Sequence, residues 1–176
     1  MISTELKNAI RDIPDFPKPG IIFKDITPIL KDAKLCSRVI EAFVNQIGSD
    51  KIDVIAGIES RGFLFGLMLA NRLQIPFVPI RKQGKLPAKT IQESCELEYG
   101  SAILELHQDA LKPGQRVMIH DDLLATGGTV SAATRLVQKL GGIIAGYSFV
   151  ISLDFLNGKE KLRLVSENII TLVSYK

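Results

Sequence analysis

The chain has 176 residues, of which 46% are hydrophobic and 23% charged, and a formal net charge of +3 at pH 7. These values predict one globular domain over residues 1–176 and exclude a disordered chain, a fibrous repeat and a disulfide-stapled miniprotein. The small positive charge fits a patch that attracts a small anion, and it does not by itself indicate nucleic-acid binding. With two cysteines, no apolar run of membrane-spanning length and no signal-peptide pattern, a cytoplasmic protein without membrane contact is expected.

The first third of the chain predicts two helices separated by an arm. Thr4–Ile13 has amphipathic periodicity, whereas Pro14–Pro28 contains four prolines and predicts an ordered arm that is neither helix nor strand. Asp32 is the expected N-cap of the second helix. One face of that helix is apolar and consists of Leu35, Val39, Ile40, Phe43, Val44 and Ile47.

The middle of the chain predicts a strand, a helix and a second strand, at Asp53–Ile58, Arg61–Leu73 and Pro76–Ile80. The polar segment Arg81–Ser94 has little periodicity and predicts a mobile loop. Cys95 is expected to be an exposed thiol of that loop.

The second half of the chain continues the alternation of strands and helices. Predicted strands are Glu96–Glu105, Arg116–His120, Ile143–Leu153 and Ile169–Ser174, and the predicted helix is Thr129–Leu140. This order predicts an α/β fold with a mostly parallel twisted sheet flanked by helices. Ligands of such sheets bind beyond the carboxyl ends of the strands, which points to Gly57–Gly62, Arg81–Lys85 and Asp121–Thr129.

The segment Arg116–Val130, RVMIHDDLLATGGTV, carries the strongest functional pattern. An apolar strand leads to two adjacent carboxylates, and a Thr-Gly-Gly-Thr turn then opens a helix. Such a turn offers converging N–H groups to a phosphate, while paired acids accept hydrogen bonds from vicinal hydroxyls. A ribose 5-phosphate has both features. The alternative interpretation of this segment is purely structural: it would connect a strand to a helix, with a threonine as the helix cap.

This string resembles the signature of the type I phosphoribosyltransferases. Three further segments are similar to the same family: Ile13–Leu30 to its amino-terminal arm, Gly57–Gly66 to its diphosphate-binding segment, and Arg81–Pro87 with Leu97–Gly100 to its flexible catalytic loop. The resemblance implies the type I fold, with an arm or hood over residues 1–30 that covers the base and a flexible loop over residues 81–99.

The resemblance also implies a role for each matching residue. The ribose hydroxyls would contact Asp121 and Asp122, and the 5-phosphate would lie on Ala125, Thr126, Gly127, Gly128 and Thr129. The diphosphate would meet Glu59, Ser60, Arg61, Arg81, Lys82 and Lys85, with a non-proline cis peptide at Glu59–Ser60. The base would contact Ile21, Ile22, Phe23, Lys24 and Tyr99, and the catalytic residues would be Glu98, Arg61 and Lys82.

The implied activity is transfer of a phosphoribosyl group from 5-phosphoribosyl 1-diphosphate to N9 of adenine, with substrate-bound Mg²⁺. A homodimer is also implied, and the apolar residues Phe63, Phe65, Leu67 and Met68, which occupy more than one helix face, agree with it. Two alternatives remain open: a 6-oxopurine acceptor, and a regulator that binds the phosphoribosyl ligand without turnover.

Several of these side chains could have a purely structural role in place of the functional role that the resemblance implies. Arg61 could be a surface arginine at a helix start, and Phe23 could be a core anchor. The loop cations could be merely solvated; these are Arg81, Lys82 and Lys85. Lys24 stands where family members can carry arginine, and a lysine lacks the planar fork for bidentate contact. His120 stands where the family usually has an aliphatic residue, and a buried, hydrogen-bonded structural histidine is expected there.

Overall fold

The computed structural model describes residues 1–96 and 100–176. Six helices lie in this part of the chain: α1 (Ile2–Ala9), α2 (Thr27–Leu30), α3 (Ala33–Ile47), α4 (Gly62–Leu73), α5 (Gly128–Lys139) and α6 (Gly158–Arg163). The nine strands of the same part are β1 (Arg11–Pro14), β2 (Ile22–Asp25), β3 (Val54–Ile58), β4 (Phe77–Lys82), β5 (Thr90–Glu96), β6 (Ser101–His107), β7 (Arg116–Leu124), β8 (Ile143–Leu153) and β9 (Ile169–Tyr175).

Seven of these strands form one sheet in the order β5-β6-β4-β3-β7-β8-β9. The pairs from β4 to β9 through the centre are parallel, and only the pairings of β6 with β4 and with β5 are antiparallel. The predicted mostly parallel sheet is therefore confirmed. Strands β3 and β7 are neighbours in the sheet. The chain runs from β3 to β4 on one side of this pair and from β7 to β8 on the other side. The carboxyl ends of β3 and β7 flank the crevice where such sheets bind ligands.

Helices cover both faces of the sheet and bury its centre. All five residues of β3 are buried, as expected for a parallel strand between two layers of helices. Phe43 of α3 and Phe65 of α4 belong to the core on one face, and Leu136 of α5 belongs to the core on the other. The predicted cap is also present, because the Asp32 carboxylate accepts a hydrogen bond of 2.9 Å from the Leu35 backbone N–H. No helix of the described residues is long and apolar enough to cross a bilayer.

Two predictions for the first thirty residues are wrong. The helix Thr4–Ile13 ends at Ala9, and Arg11–Pro14 instead forms the antiparallel strand β1 with β2. The arm Pro14–Pro28, predicted as neither helix nor strand, therefore contains one strand and the short helix α2. Cross-strand charge pairs explain the hairpin, since Arg11 lies 2.6 Å from Asp25 and Lys24 lies 2.7 Å from Asp12.

The predicted loop Arg81–Ser94 is shorter than expected. Strand β4 continues through Lys82 and β5 begins at Thr90, so the irregular part covers only residues 83–89. Cys95 is a buried residue of β5 with 2% of its surface exposed, and the prediction of an exposed thiol is wrong. The predicted strand Glu96–Glu105 is replaced by the end of β5 and by β6. Glu98 and Tyr99 lie outside the described residues.

Candidate active site

The two adjacent acids lie at the carboxyl end of β7, which extends four residues past the predicted end at His120. Asp122 is buried, and its Oδ2 lies 2.7 Å from Nε of Arg61 at the start of α4. The Oδ1 of Asp121 accepts a hydrogen bond of 2.8 Å from the Asp122 backbone N–H. Desolvation, followed by the Asp122 charge, raises the pKa of Asp121 well above its usual range. Desolvation also raises the pKa of Asp122, although the Arg61 guanidinium opposes it.

Asp121→Asn is expected to raise thermal stability near pH 7 while weakening binding of a ribose ligand. Because the pKa of Asp121 is higher in the folded protein than in the unfolded chain, its ionisation at neutral pH favours unfolding. Asparagine removes that cost, and each 1 kcal/mol gained corresponds to about 2–4 °C in Tm for a protein of this size. Calorimetry from pH 4 to pH 8 should show a gain that grows with pH. A Tm lowered at every pH would contradict this reading.

The glycine-rich turn lies between β7 and α5. Gly127 has a φ of +79°, a conformation that side-chain-bearing residues rarely adopt, and α5 begins at the next residue. The N–H groups of this turn and the positive end of the α5 dipole suit a phosphate. Thr129, in the first turn of α5, lines the polar cavity described below.

Gly158 supports this turn from behind, and sequence reasoning missed it. A Cβ atom at Gly158 would lie 2.2 Å from the Ala125 carbonyl oxygen, and one at Gly127 would lie 3.0 Å from the Gly158 carbonyl oxygen. The two backbones are therefore in direct contact. An isolated glycine at the start of a short helix, some 30 residues away along the chain, gave no local signal of this contact.

Gly158→Ala is expected to lower kcat/KM about 100-fold, because the added methyl group must displace the backbone of the phosphate-binding turn. Steady-state kinetics with the phosphoribosyl donor as the varied substrate would measure the loss. Lys161→Ala, an exposed change on the same helix, is the matched control and should leave the kinetics unchanged. Equal kinetics for the two variants would show that the turn does not depend on Gly158.

Glu59 follows β3 and gathers the cations of the neighbouring segment. Its carboxylate accepts hydrogen bonds from Lys85 Nζ at 2.8 Å, from the Lys82 backbone N–H at 3.0 Å and from Arg81 Nε at 3.2 Å. Burial disfavours the charged carboxylate and by itself would raise its pKa. The hydrogen bonds together have the larger effect and lower the pKa of Glu59 to about 2. The carboxylate thus holds the cations in place. The peptide bond Glu59–Ser60 is cis, as the resemblance implies.

A polar cavity of about 450 Å³ joins the acids to these cations. Its lining residues come from the ends of β3, β4 and β7, from the neighbouring β5–β6 pair and from α5. Predicted site residues in the lining are Glu59, Ser60, Arg61, Lys82, Lys85, Asp121, Asp122 and Thr129. The structure therefore brings the predicted ribose residues together with the predicted diphosphate residues other than Arg81, which bonds to Glu59 outside this lining. Of the predicted 5-phosphate residues, Thr129 lies in this lining, whereas Ala125 lines a second, neighbouring cavity.

A second cavity of about 620 Å³ lies beside the first, beneath the arm. The predicted base-contacting residues Ile21, Ile22, Phe23 and Lys24 form one wall, and Leu153, Phe155, Leu156 and Tyr175 form another. Sequence reasoning missed the second wall because its residues lie more than a hundred positions from the arm. Arg61 and Leu123 line both cavities.

Phe23 is half-buried in the wall of this second cavity. Its ring meets Phe16 edge to face with centroids 5.2 Å apart, and the Arg61 guanidinium carbon lies 4.9 Å from its centroid. The Lys24 ammonium points to Asp12 and to the ring of Tyr175. In this arrangement Lys24 is therefore not positioned for a bidentate contact with a base.

His120 is fully buried one residue before the acidic pair. Its Nδ1 lies 2.9 Å from the Ser148 hydroxyl, and its ring meets Phe43 edge to face. Burial lowers the pKa of His120 to about 3, so the ring is neutral at physiological pH. The prediction of a hydrogen-bonded structural histidine is confirmed.

Comparison with known proteins agrees with this geometry. The family model of the phosphoribosyl transferase domain matches residues 24–160, which is more than half of the chain. The match includes the acidic pair, the glycine-rich turn and the cation-bearing segment. The chain belongs to the phosphoribosyltransferase family.

Comparison with individual relatives shows which members of this family the chain resembles. An adenine phosphoribosyltransferase of Cytophaga hutchinsonii is 51% identical over 99% of this chain and 97% of its own length. A crystal structure of adenine phosphoribosyltransferase from Thermoanaerobacter pseudethanolicus superposes with a TM-score of 0.94, at 52% identity over 99% of this chain and 100% of that one. The yeast enzyme, solved with adenine and an imino-altritol bisphosphate, gives a TM-score of 0.90 at 43% identity over 97% and 98% of the two chains. Over nearly its whole length, the chain is therefore similar to adenine phosphoribosyltransferases.

Proposed function

We propose that the protein transfers the phosphoribosyl group of 5-phosphoribosyl 1-diphosphate to N9 of adenine, releasing AMP and diphosphate, a reaction of purine salvage. The observation that carries this proposal is the pair of adjoining cavities that share Arg61 and Leu123. The polar cavity has the charges and the turn that an activated sugar phosphate requires. The apolar cavity suits a planar base, and a base bound there would lie across the shared wall from the ribose.

The proposed mechanism is mainly electrostatic. Breaking the bond from C1 to the diphosphate builds positive charge on the sugar and negative charge on the leaving group. Arg61, Lys82 and Lys85 line the polar cavity and are placed to stabilise the leaving group. Asp121 and Asp122 would hold the ribose hydroxyls, and closure of residues 81–99 would exclude water that otherwise hydrolyses the activated sugar.

Mg²⁺ fits this site as a substrate-carried ion. No group of three or more metal-ligating side chains occurs in the described residues, while Asp121 and Asp122 lie together in the polar cavity. Mg²⁺ is commonly bound through one or two carboxylates, waters and substrate phosphates. The ion would neutralise part of the charge that develops on the diphosphate, and Asp121 and Asp122 would hold it together with the ribose hydroxyls.

Preference for adenine would come from the backbone of the arm. Adenine presents an acceptor at N1 and a donor at its amino group, and 6-oxopurines present the reverse. The N–H and C=O of Ile21 are already used within the arm, with bonds of 3.2 Å to Lys18 and from Phe16. Recognition would therefore use those backbone groups of Ile22 and Phe23 that are not engaged in the β1–β2 pairing. A reversed pattern would leave buried groups unpaired, and discrimination of about 10⁴–10⁵ is possible at such sites.

The decisive experiment follows diphosphate release with Mg²⁺, the activated sugar and one purine at a time. We expect release with adenine and almost none with hypoxanthine or guanine. Comparable release with hypoxanthine would favour the 6-oxopurine alternative. Tight binding of the activated sugar without release for any purine would favour a non-catalytic regulator.

A homodimer is proposed through the exposed face of α4. Of the apolar residues that the sequence analysis linked to a dimer, Phe65 is instead buried in the core, whereas Leu67 and Met68 are exposed. Leu64, Leu67 and Met68 keep 40%, 57% and 38% of their surfaces exposed at helical spacing on one face. Leu67→Glu places a charge in the middle of that face and should shift sedimentation toward the monomer. A wild-type monomer that is fully active at assay concentration would overturn the proposal.

A further inference from the structure

The arm is attached to the last strand of the sheet through three side chains, Asp12, Lys24 and Tyr175, which we call the arm clamp. We propose that Tyr175 is a positioning residue for the purine, because its ring holds Lys24 and thereby fixes the adjacent wall of the apolar cavity. This inference rests on the proposed function and adds to it a residue near the carboxyl end of the chain.

The contacts within the clamp are close, and Lys24 at its centre is largely shielded from solvent, whereas Asp12 is exposed. The Lys24 ammonium lies 4.1 Å from the centroid of the Tyr175 ring and 2.7 Å from each Asp12 carboxylate oxygen. Only 12% of the Lys24 side chain is exposed. Asp12 and Lys24 are directly opposite in the β1–β2 register, so their pairing needs no distortion of the hairpin. A cation over an aromatic face is attracted most strongly where both are desolvated.

The clamp acts on the base cavity and not on the phosphate cavity. Lys24 and Tyr175 line the apolar cavity, and so does Phe23, the neighbour of Lys24 in β2. Tyr175 pairs in register with Leu153 of β8, which lines the same cavity. None of the three clamp residues belongs to the lining of the polar cavity. Loosening the clamp should therefore weaken purine binding and leave binding of the activated sugar as it is.

The first test compares Tyr175→Leu with Tyr175→Phe. Tyr175→Leu removes the aromatic face and should raise KM for adenine about 3- to 30-fold, with KM for 5-phosphoribosyl 1-diphosphate unchanged. Tyr175→Phe keeps the face and should retain a KM for adenine close to that of the wild type. A general structural defect would raise both KM values, and an equal effect of both variants would show that the aromatic face is irrelevant. Either result would overturn the proposal.

The second test asks whether Tyr175 acts through Lys24. Lys24→Met keeps the length of the side chain and removes the charge, so it should raise KM for adenine as Tyr175→Leu does. The double variant should be no worse than the more severe single variant, whereas additive effects would mean that the two residues act independently. Lys7→Met is the matched control, because the Lys7 ammonium lies 5.8 Å from the same ring, at the limit of a useful interaction.

Calorimetric titration with AMP gives the same comparison without turnover. If the wild type binds AMP but releases no diphosphate from 5-phosphoribosyl 1-diphosphate in the presence of adenine, the proposed function fails while the affinity ratio of the variants still decides the role of the clamp. If the wild type turns over adenine and Tyr175→Leu binds AMP normally, the clamp proposal alone fails.

Discussion

Replacing Arg61 with methionine is expected to lower kcat about 10²- to 10³-fold, the usual effect of removing one group that stabilises developing charge. Arg61 is the one cation of the described residues that lines both cavities, and it also pairs with buried Asp122 at 2.7 Å. The substitution therefore removes charge from the leaving-group side and leaves a buried carboxylate without its partner. Rapid-quench measurement of a single turnover would separate the chemical step from product release.

Arg72→Met is the matched control for this prediction. Arg72 lies on the same helix, α4, but its partner is the exposed Glu41, so its removal should leave kcat unchanged. Combining Arg61→Met with Asp122→Asn removes the unpaired buried charge and should recover thermal stability without recovering turnover. Wild-type turnover by Arg61→Met would refute the electrostatic role.

Glu98→Leu is expected to lower turnover about 10²- to 10⁴-fold, the usual contribution of a general base. Adenine loses a proton when N9 is glycosylated, and the resemblance places the accepting carboxylate at Glu98. The sequence offers Glu93, Glu96 and Glu98 in this segment. The structure argues against Glu93 as the proton acceptor, because its carboxylate lies 2.9 Å from Arg135 and 2.5 Å from Lys139 on α5. Hydrogen bonds from Lys139 and then Arg135 lower its pKa, which makes it a poor proton acceptor.

The matched control is Glu96→Leu, two positions earlier. Binding of the activated sugar, measured by calorimetry, should be unchanged in Glu98→Leu because the charged groups of the polar cavity are intact. An equal loss from Glu96→Leu would mean that the carboxylate is misassigned. Loss of sugar binding together with turnover would instead show that residues 81–99 no longer close.

The sheet and the phosphoribosyl side of the site could be predicted because their signals are local. Helix α3 has its cap and its apolar face within sixteen residues, and β8 has the predicted bounds, Ile143–Leu153. The acidic pair lies at the end of a single strand, and the glycine-rich turn follows that strand directly. Each of these features is complete within one short stretch of sequence. Local propensity and spacing were therefore sufficient.

Three features could not be predicted because their determinants are distant in sequence: the β1–β2 hairpin, the burial of Cys95 and the second wall of the base cavity. The strand β1 exists because β2 pairs with it, and helical periodicity over Thr4–Ile13 does not contain that partner. Cys95 is buried because β5 pairs with β6 and packs beside α5, which a polar sequence does not indicate. Tyr175 reaches the arm only after the whole sheet has been assembled. These three features are determined by tertiary contacts, which the local sequence does not show.

The carboxylate of Glu59 has a consequence for how tightly the protein can hold an anion. Lys85 and Arg81 already share a negatively charged partner, so an incoming diphosphate would replace part of their existing charge compensation instead of meeting two bare charges. The net electrostatic gain on binding would then be smaller than the number of cations suggests. When the product departs, the same carboxylate would again compensate one of the two positive charges, so the ammonium of Lys85 and the guanidinium of Arg81 would not have to rehydrate fully.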